Sequence, residues 1–229
     1  MAETTIYLGN KNYSSWSLRG WLALKQTGIR FKEMVICLDR PDTAEKIRRH
    51  SPSGKVPCLV HDGNTIWESL AIGEYLAERF PAAKLWPADS ETRAHARCVA
   101  TEMHAGFLKM RQNMPMDMRS DLEKKSRLSV PEVGRDVRRI MSIWRECRER
   151  YGSRGAHGDG PFLYGGFSIA DAMFAPVTTR FLTYGVPLDE TCEAYVDAVR
   201  TWPAMAEWGR DSKREEWTLS YPVLDTPLA

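Results

Sequence analysis

Long apolar runs are missing from this sequence. None approaches the ~18 residues that a membrane-spanning helix needs, so no membrane partner is expected. Met1 to Asn12 hold no apolar core of the secretory-leader kind, and the expected location is the cytoplasm. Cysteine is sparse and unpaired in pattern. Cys37, Cys58, Cys98, Cys147 and Cys192 are odd in number, widely spaced and without a Cys-x-x-Cys. That argues against a disulfide framework and a zinc knuckle and fits a reducing compartment. His95, Cys98 and His104 share one stretch, but core or surface roles account for them and no metal is expected. Blocks of like charge are absent too. The 32 basic and 30 acidic side chains leave a net charge of +2. The basic stretch from Arg135 to Arg150 is interleaved with Val137, Ile140, Met141 and Trp144, which marks a solvated helix face rather than a nucleic-acid surface.

What is present alternates strand and helix in the first third. Thr4 to Leu8 reads as a strand, Trp16 to Gln26 as a helix, Phe31 to Leu38 as a strand and Thr43 to His50 as a short helix. Val56 to Val60 and Thr65 to Trp67 are two short strands around His61-Asp62-Gly63-Asn64, whose Asp-Gly pair favours a tight hairpin. A helix follows from Ser69 to about Arg79, and Pro81 ends it. The order is βαβαββα. Residues 82–90, between Pro81 and Ser90, read as a linker.

Everything beyond it reads as helix. Met103, Phe107, Met110 and Met114 recur on one face, and Val133 to Trp144 make the next stripe. Gly152 to Gly160 is a glycine-rich loop. Further helices are expected from Ser168, near Glu190 to Arg200 and near Pro203 to Lys213. The expected fold is therefore α/β plus all-α, with domains at 1–81 and 91–229 joined by 82–90.

Four segments carry candidate chemistry. Val56-Pro57 heads an apolar run; a cis bond there would turn the Val56 backbone groups outward to pair with an extended peptide, while a trans proline would simply open an edge strand. Glu68-Ser69 falls where a strand meets a helix. A helix N-terminus and a hydroxyl suit a carboxylate and Glu68 suits an ammonium, so the pair fits an amino-acid head group; it fits a plain N-cap equally. Tyr13-Ser14-Ser15-Trp16-Ser17 opens the first helix, where an anion such as a thiolate is favoured and where any of the serines can also cap. Ser168-Ile169-Ala170-Asp171 is a capping box with a structural role.

In this order and spacing, over roughly residues 4 to 215, the four segments resemble the soluble glutathione S-transferase family. The Ser-Ser-x-Ser-x-Arg stretch, Ser14 to Arg19, most resembles its serine-type classes, zeta above all, although Trp16 stands where that class usually has cysteine. The resemblance implies a thioredoxin-like N-terminal domain, a C-terminal helical bundle, a cis Val56–Pro57 and a homodimer. It implies glutathione as co-substrate and a small apolar electrophile as partner. Ser14, with Ser15 as the neighbouring candidate, would meet the glutathione sulfur. Val56 would pair with the cysteinyl part, Glu68 and Ser69 would hold the γ-glutamyl end, and Lys55 would meet a carboxylate. His104, Phe107 and Met110 would line the second-substrate pocket, the methionine being equally at home in a core. A maleylacetoacetate-type isomerase and a non-catalytic interaction protein are the alternatives.

Overall fold

The computed structural model describes residues 4–125, 127–152 and 160–225. Its sheet is built from β1 (Thr5–Leu8), β2 (Lys32–Val35), β3 (Cys58–His61) and β4 (Asn64–Trp67) in the spatial order β2-β1-β3-β4. The β1–β2 pair is parallel, because helix α1 (Ser15–Gln26) carries the chain back across the sheet between them. The β1–β3 and β3–β4 pairs are antiparallel. Asp62 and Gly63, both at positive φ (49° and 76°), close the β3–β4 hairpin in the geometry that Asp-Gly favours. Helix α2 (Thr43–Arg48) precedes β3, and α3 (Ser69–Arg79) packs with α1 on the sheet. This is the thioredoxin-like βαβαββα expected.

The rest is helical: α4 (Ser90–Ala105), α5 (Leu108–Asn113), α6 (Pro131–Tyr151), α7 (Ile169–Thr183), α8 (Glu190–Thr201), α9 (Pro203–Arg214) and a short α10 (Pro222–Asp225). One expectation needs correcting. The stripe Met103, Phe107, Met110, Met114 does not lie on one continuous helix. Gly106 interrupts it, at a point where a Cβ would come within 2.7 Å of the Glu102 carbonyl, and Phe107 sits at φ 57°. All four stripe residues are nonetheless buried. The glycine-rich loop falls largely outside the described residues, since 153–159 are not among them.

Helix α7 is the axis of the molecule. Every residue in it but Leu182 is buried, and it packs against α1, α4 and α8. Its start is fixed by the capping box. The buried Asp171 carboxylate accepts from the Ser168 amide at 2.8 Å, the Leu163 amide at 3.0 Å, the Ser168 hydroxyl at 2.9 Å and the Tyr195 hydroxyl at 3.2 Å. Burial pushes the Asp171 carboxyl up from 3.8 to about 6. The loop between β1 and α1 is tied to the far end of the chain. Lys11 Nζ lies 2.6 Å from both Glu33 and Asp211, and the Lys11 carbonyl accepts from Trp208 Nε1 at 2.8 Å. Those ties hold the start of α1, where the site forms.

Candidate functional site

A cleft of about 600 Å³ opens where the sheet layer meets α4, lined by Ser14, Trp16, Leu38, Lys55, Val56, Pro57, Glu68, Ser69 and His104 among others. Seven residues singled out from the sequence thus meet in one place: Ser14, Lys55, Val56, Pro57, Glu68, Ser69 and His104. The Val56–Pro57 bond is cis. Neither the N–H nor the C=O of Val56 has a hydrogen-bond partner among the described residues, so both remain free to pair with an extended chain.

Beside Val56, the β4–α3 corner presents the start of a helix. Glu68 occupies φ 69°, ψ 125°, a conformation that costs a non-glycine residue of order 1–3 kcal/mol. The conformation leaves the Glu68 side chain exposed on the cleft while α3 begins at Ser69. Ser69 is 1% exposed, and its hydroxyl has no hydrogen-bond partner among the described residues. A buried, unpaired hydroxyl at a helix N-terminus is costly unless something fills it, and the dipole there favours an anion.

At the other end of the cleft Ser14 caps α1. Its Oγ accepts from the Ser17 amide at 3.3 Å and donates to Ser17 Oγ at 2.8 Å; Ser17 Oγ in turn accepts from the Gly9 amide at 2.9 Å. Ser15 points elsewhere, accepting from Arg180 Nη2 at 3.2 Å in the interior. The two adjacent serines therefore divide: Ser14 both lines the cleft and caps α1, and Ser15 bonds Arg180 of α7.

On the helical side only His104 of the three second-substrate candidates reaches the cleft. Phe107 and Met110 are packed in the hydrophobic core, where the break at Gly106 turns them, and the Met110 amide bonds Asp136 at 2.9 Å. His104 Nδ1 has no hydrogen-bond partner among the described residues, and the ring meets Trp16 edge-on at 5.3 Å. Burial, with Arg19 and Arg111 nearby, holds the His104 imidazole below its ordinary pKa, so it is neutral at pH 7. Trp16 itself is flanked by the Arg19 guanidinium at 4.5 Å and that of Arg111 at 5.2 Å. Arg19 is fully buried, and among the described residues none of its three guanidinium nitrogens has a hydrogen-bond partner. The sequence marks Arg19 as a motif residue only; its isolation comes from tertiary packing that no local pattern reports. The strained Glu68 was equally invisible, since nothing in the residue type signals a positive φ.

Residues 13–79 match the family model "Glutathione S-transferase, N-terminal domain". Over 105 residues the chain is 39% identical to a probable maleylacetoacetate isomerase of Caenorhabditis elegans, covering 46% of this chain and 48% of that one. It spans about half the length of the curated isomerases it matches. A glutathione transferase homolog from Burkholderia, solved with bound glutathione, is 25% identical and superposes with a TM-score of 0.69 over 93% of this chain and 100% of its own. A bacterial maleyl pyruvate isomerase of the zeta class superposes at 0.70 over 92% and 99%, with 19% identity, a likeness of fold. The matched N-terminal segment, the shared fold and the cleft at its cis-proline corner agree: residues 13–79 match the N-terminal domain of the glutathione S-transferases, and the chain as a whole is similar in fold to members of that family.

Proposed function

We propose that the cleft binds glutathione and that the protein is a glutathione-dependent enzyme transferring the thiolate to a small apolar electrophile. The observation that carries this reading is the orphaned, buried Ser69 hydroxyl at the α3 N-terminus, set between the free backbone of Val56 and the exposed carboxylate of Glu68. An α-amino acid head group supplies what each lacks. Its carboxylate accepts from Ser69 and the first α3 amides, and its ammonium meets Glu68. The following peptide pairs with Val56 beside Pro57, and Lys55 meets a second carboxylate. That order of groups delivers a cysteinyl sulfur to Ser14.

The thiol chemistry has a definite scale. A thiol of pKa about 8.5 is ~3% ionised at pH 7, and bringing it to about 6.5 requires ~2.7 kcal/mol. A hydroxyl donating to a charged sulfur contributes roughly 1.5–3 kcal/mol and a helix start roughly 0.3–1. In this reading Ser14 rotates its proton from Ser17 Oγ to the sulfur and keeps its cap, since the lone pair that accepts from the Ser17 amide is not involved. The thiolate then adds to the electrophile's acceptor carbon, forming the C–S bond while the displaced electron pair leaves with its group or takes up a proton. Fixing the two reactants in the cleft supplies most of the acceleration.

A second reading, a glutathione-dependent cis–trans isomerase, is favoured by the names of the curated relatives. There the thiolate adds to a conjugated double bond, the adduct rotates, and the same thiolate is expelled. A panel of electrophiles and cis-dienoic acids, assayed with and without glutathione, separates the two. Glutathione consumed in stoichiometric amounts supports transfer; product formed with glutathione unchanged supports isomerisation; no glutathione dependence with any of them contradicts both. A homodimer and a cytoplasmic location complete the proposal.

A further inference from the structure

Three groups around Trp16 share one sign. Arg19, one helical turn beyond Trp16 on α1, lies against its ring; Arg111 from α5 lies near the same ring; and Arg180 from α7 is buried close by. Arg180 is provided for, donating to the carbonyls of Met114 and Pro176 and to Ser15. Arg111 donates to the His104 carbonyl at 3.1 Å and has Asp136 nearby. Arg19 has no such provision among the described residues. Its charged neighbours are Arg180 and Arg111, both like-charged. His104, the titratable group that α4 turns toward it, is neutral, and the acid that acts on His104 among the described residues is Glu68, which lines the same cleft and is exposed.

An uncompensated charge in the interior strongly favours any anion that arrives beside it. We infer that Arg19 is the buried counter-charge of the reacting thiolate: it acts through space on the sulfur held at Ser14 and makes ionisation of the bound thiol easier than the Ser14 hydroxyl alone would. This rests on the glutathione reading and extends it. The coupling is reciprocal, so a cation that stabilises the thiolate is itself stabilised when the thiolate forms. Arg19 touches no reacting atom. It is a positioning residue in the electrostatic sense, with Trp16 interposed between it and the cleft. Its place on α1, one turn from the residues that open the cleft, also explains why a cation without a hydrogen-bond partner among the described residues sits in a core where an apolar side chain would pack: the field is needed and the hydrogen bonds are not.

The test is the pKa of the bound thiol, read from the ultraviolet absorbance of the thiolate as pH is varied in the glutathione complex. Arg19→Met should raise that pKa by about one unit, a tenfold change in the thiolate ratio. Arg19→Lys should recover most of the shift, because the charge rather than the guanidinium fork is at work. Binding of S-methylglutathione, whose sulfur cannot ionise, should stay within twofold in all three proteins. An unmoved thiol pKa in Arg19→Met overturns the inference. So does an equal loss of S-methylglutathione binding, which would make Arg19 a structural residue. An unchanged pKa with a raised KM confined to carboxylate-bearing electrophiles would overturn it too, by assigning the charge to the second substrate. If Arg19→Met does not fold, the pKa in Arg19→Lys decides alone: a value more than a unit above the parent's contradicts a role for charge. Failure of the parent itself to bind S-methylglutathione would instead sink the glutathione reading.

Discussion

Ser69 and Ser14 are both buried serines at helix starts, yet their environments set opposite costs. Ser69 Oγ has nothing to bond, whereas Ser14 Oγ is fully engaged with Ser17. Removing Ser14 therefore deletes a cap. Ser14→Ala should lose about 1 kcal/mol of stability, measured by the urea midpoint, and should raise the bound-thiol pKa by one to two units at ~1.36 kcal/mol each. Turnover should drop at neutral pH and recover toward pH 9. A pH profile that stays put in Ser14→Ala would remove the hydroxyl from the chemistry and leave the α1 amides and Arg19 as the activating groups. At this scale the sequence was legible in which residues come together, since Ser14, Val56, Pro57, Glu68 and Ser69 all line one cleft. It was silent where a role depends on what lies across the core. Nothing local separates Ser14 from Ser15, and the division between them is made by Arg180, 165 residues away in the chain. Phe107 and Met110 share helical spacing with Met103, next to His104, but spacing alone cannot say which side of a broken helix faces a cleft.

At the scale of elements, helix boundaries followed their punctuation. Helix α3 runs from Ser69 to Arg79, and the Pro131, Pro203 and Ser168 starts lie where cap and proline chemistry put them. The α4–α5 break did not show, because the apolar stripe continues unchanged through Gly106 and periodicity reports burial, not continuity. The capping box that opens α7 yields a test with a sign. Folding raises the Asp171 carboxyl from 3.8 to about 6, so the folded state holds that proton more tightly than the unfolded chain. Its contribution is then fully present below pH ~4 and lost as pH rises through ~6; a shift of roughly two units is worth about 3 kcal/mol. Comparing urea unfolding of the parent and Asp171→Asn across that range, the parent's advantage should shrink by up to that amount between pH 4 and 7. An advantage that grows with pH would mean that the four donors to the carboxylate outweigh its burial.

At the scale of the molecule, the cleft exists because α7 joins the two layers. It packs against α1, and Ile169 at its start comes within 3.2 Å of where a Cβ on Gly73 of α3 would lie. The layer order, sheet with α1 and α3 and then the bundle, was readable from the switch in hydrophobic period after Pro81; how closely the layers approach was not, being fixed by side chains distant in sequence. The proposed homodimer predicts that sedimentation at micromolar concentration shows twice the mass of one chain, and a single-chain species would contradict it. The claim on which the rest depends is that the cleft takes glutathione with its γ-glutamyl end at Ser69. Calorimetric titration of glutathione into the parent and Ser69→Ala addresses it directly. The parent should bind, and the variant should bind about 10–100-fold more weakly, as expected for one lost hydrogen bond to a charged group. Without ligand the variant should be as stable as the parent or about 1 kcal/mol more stable, because it loses only a hydroxyl that had no partner. Equal affinity in the two proteins, or no binding to the parent at all, would contradict the account.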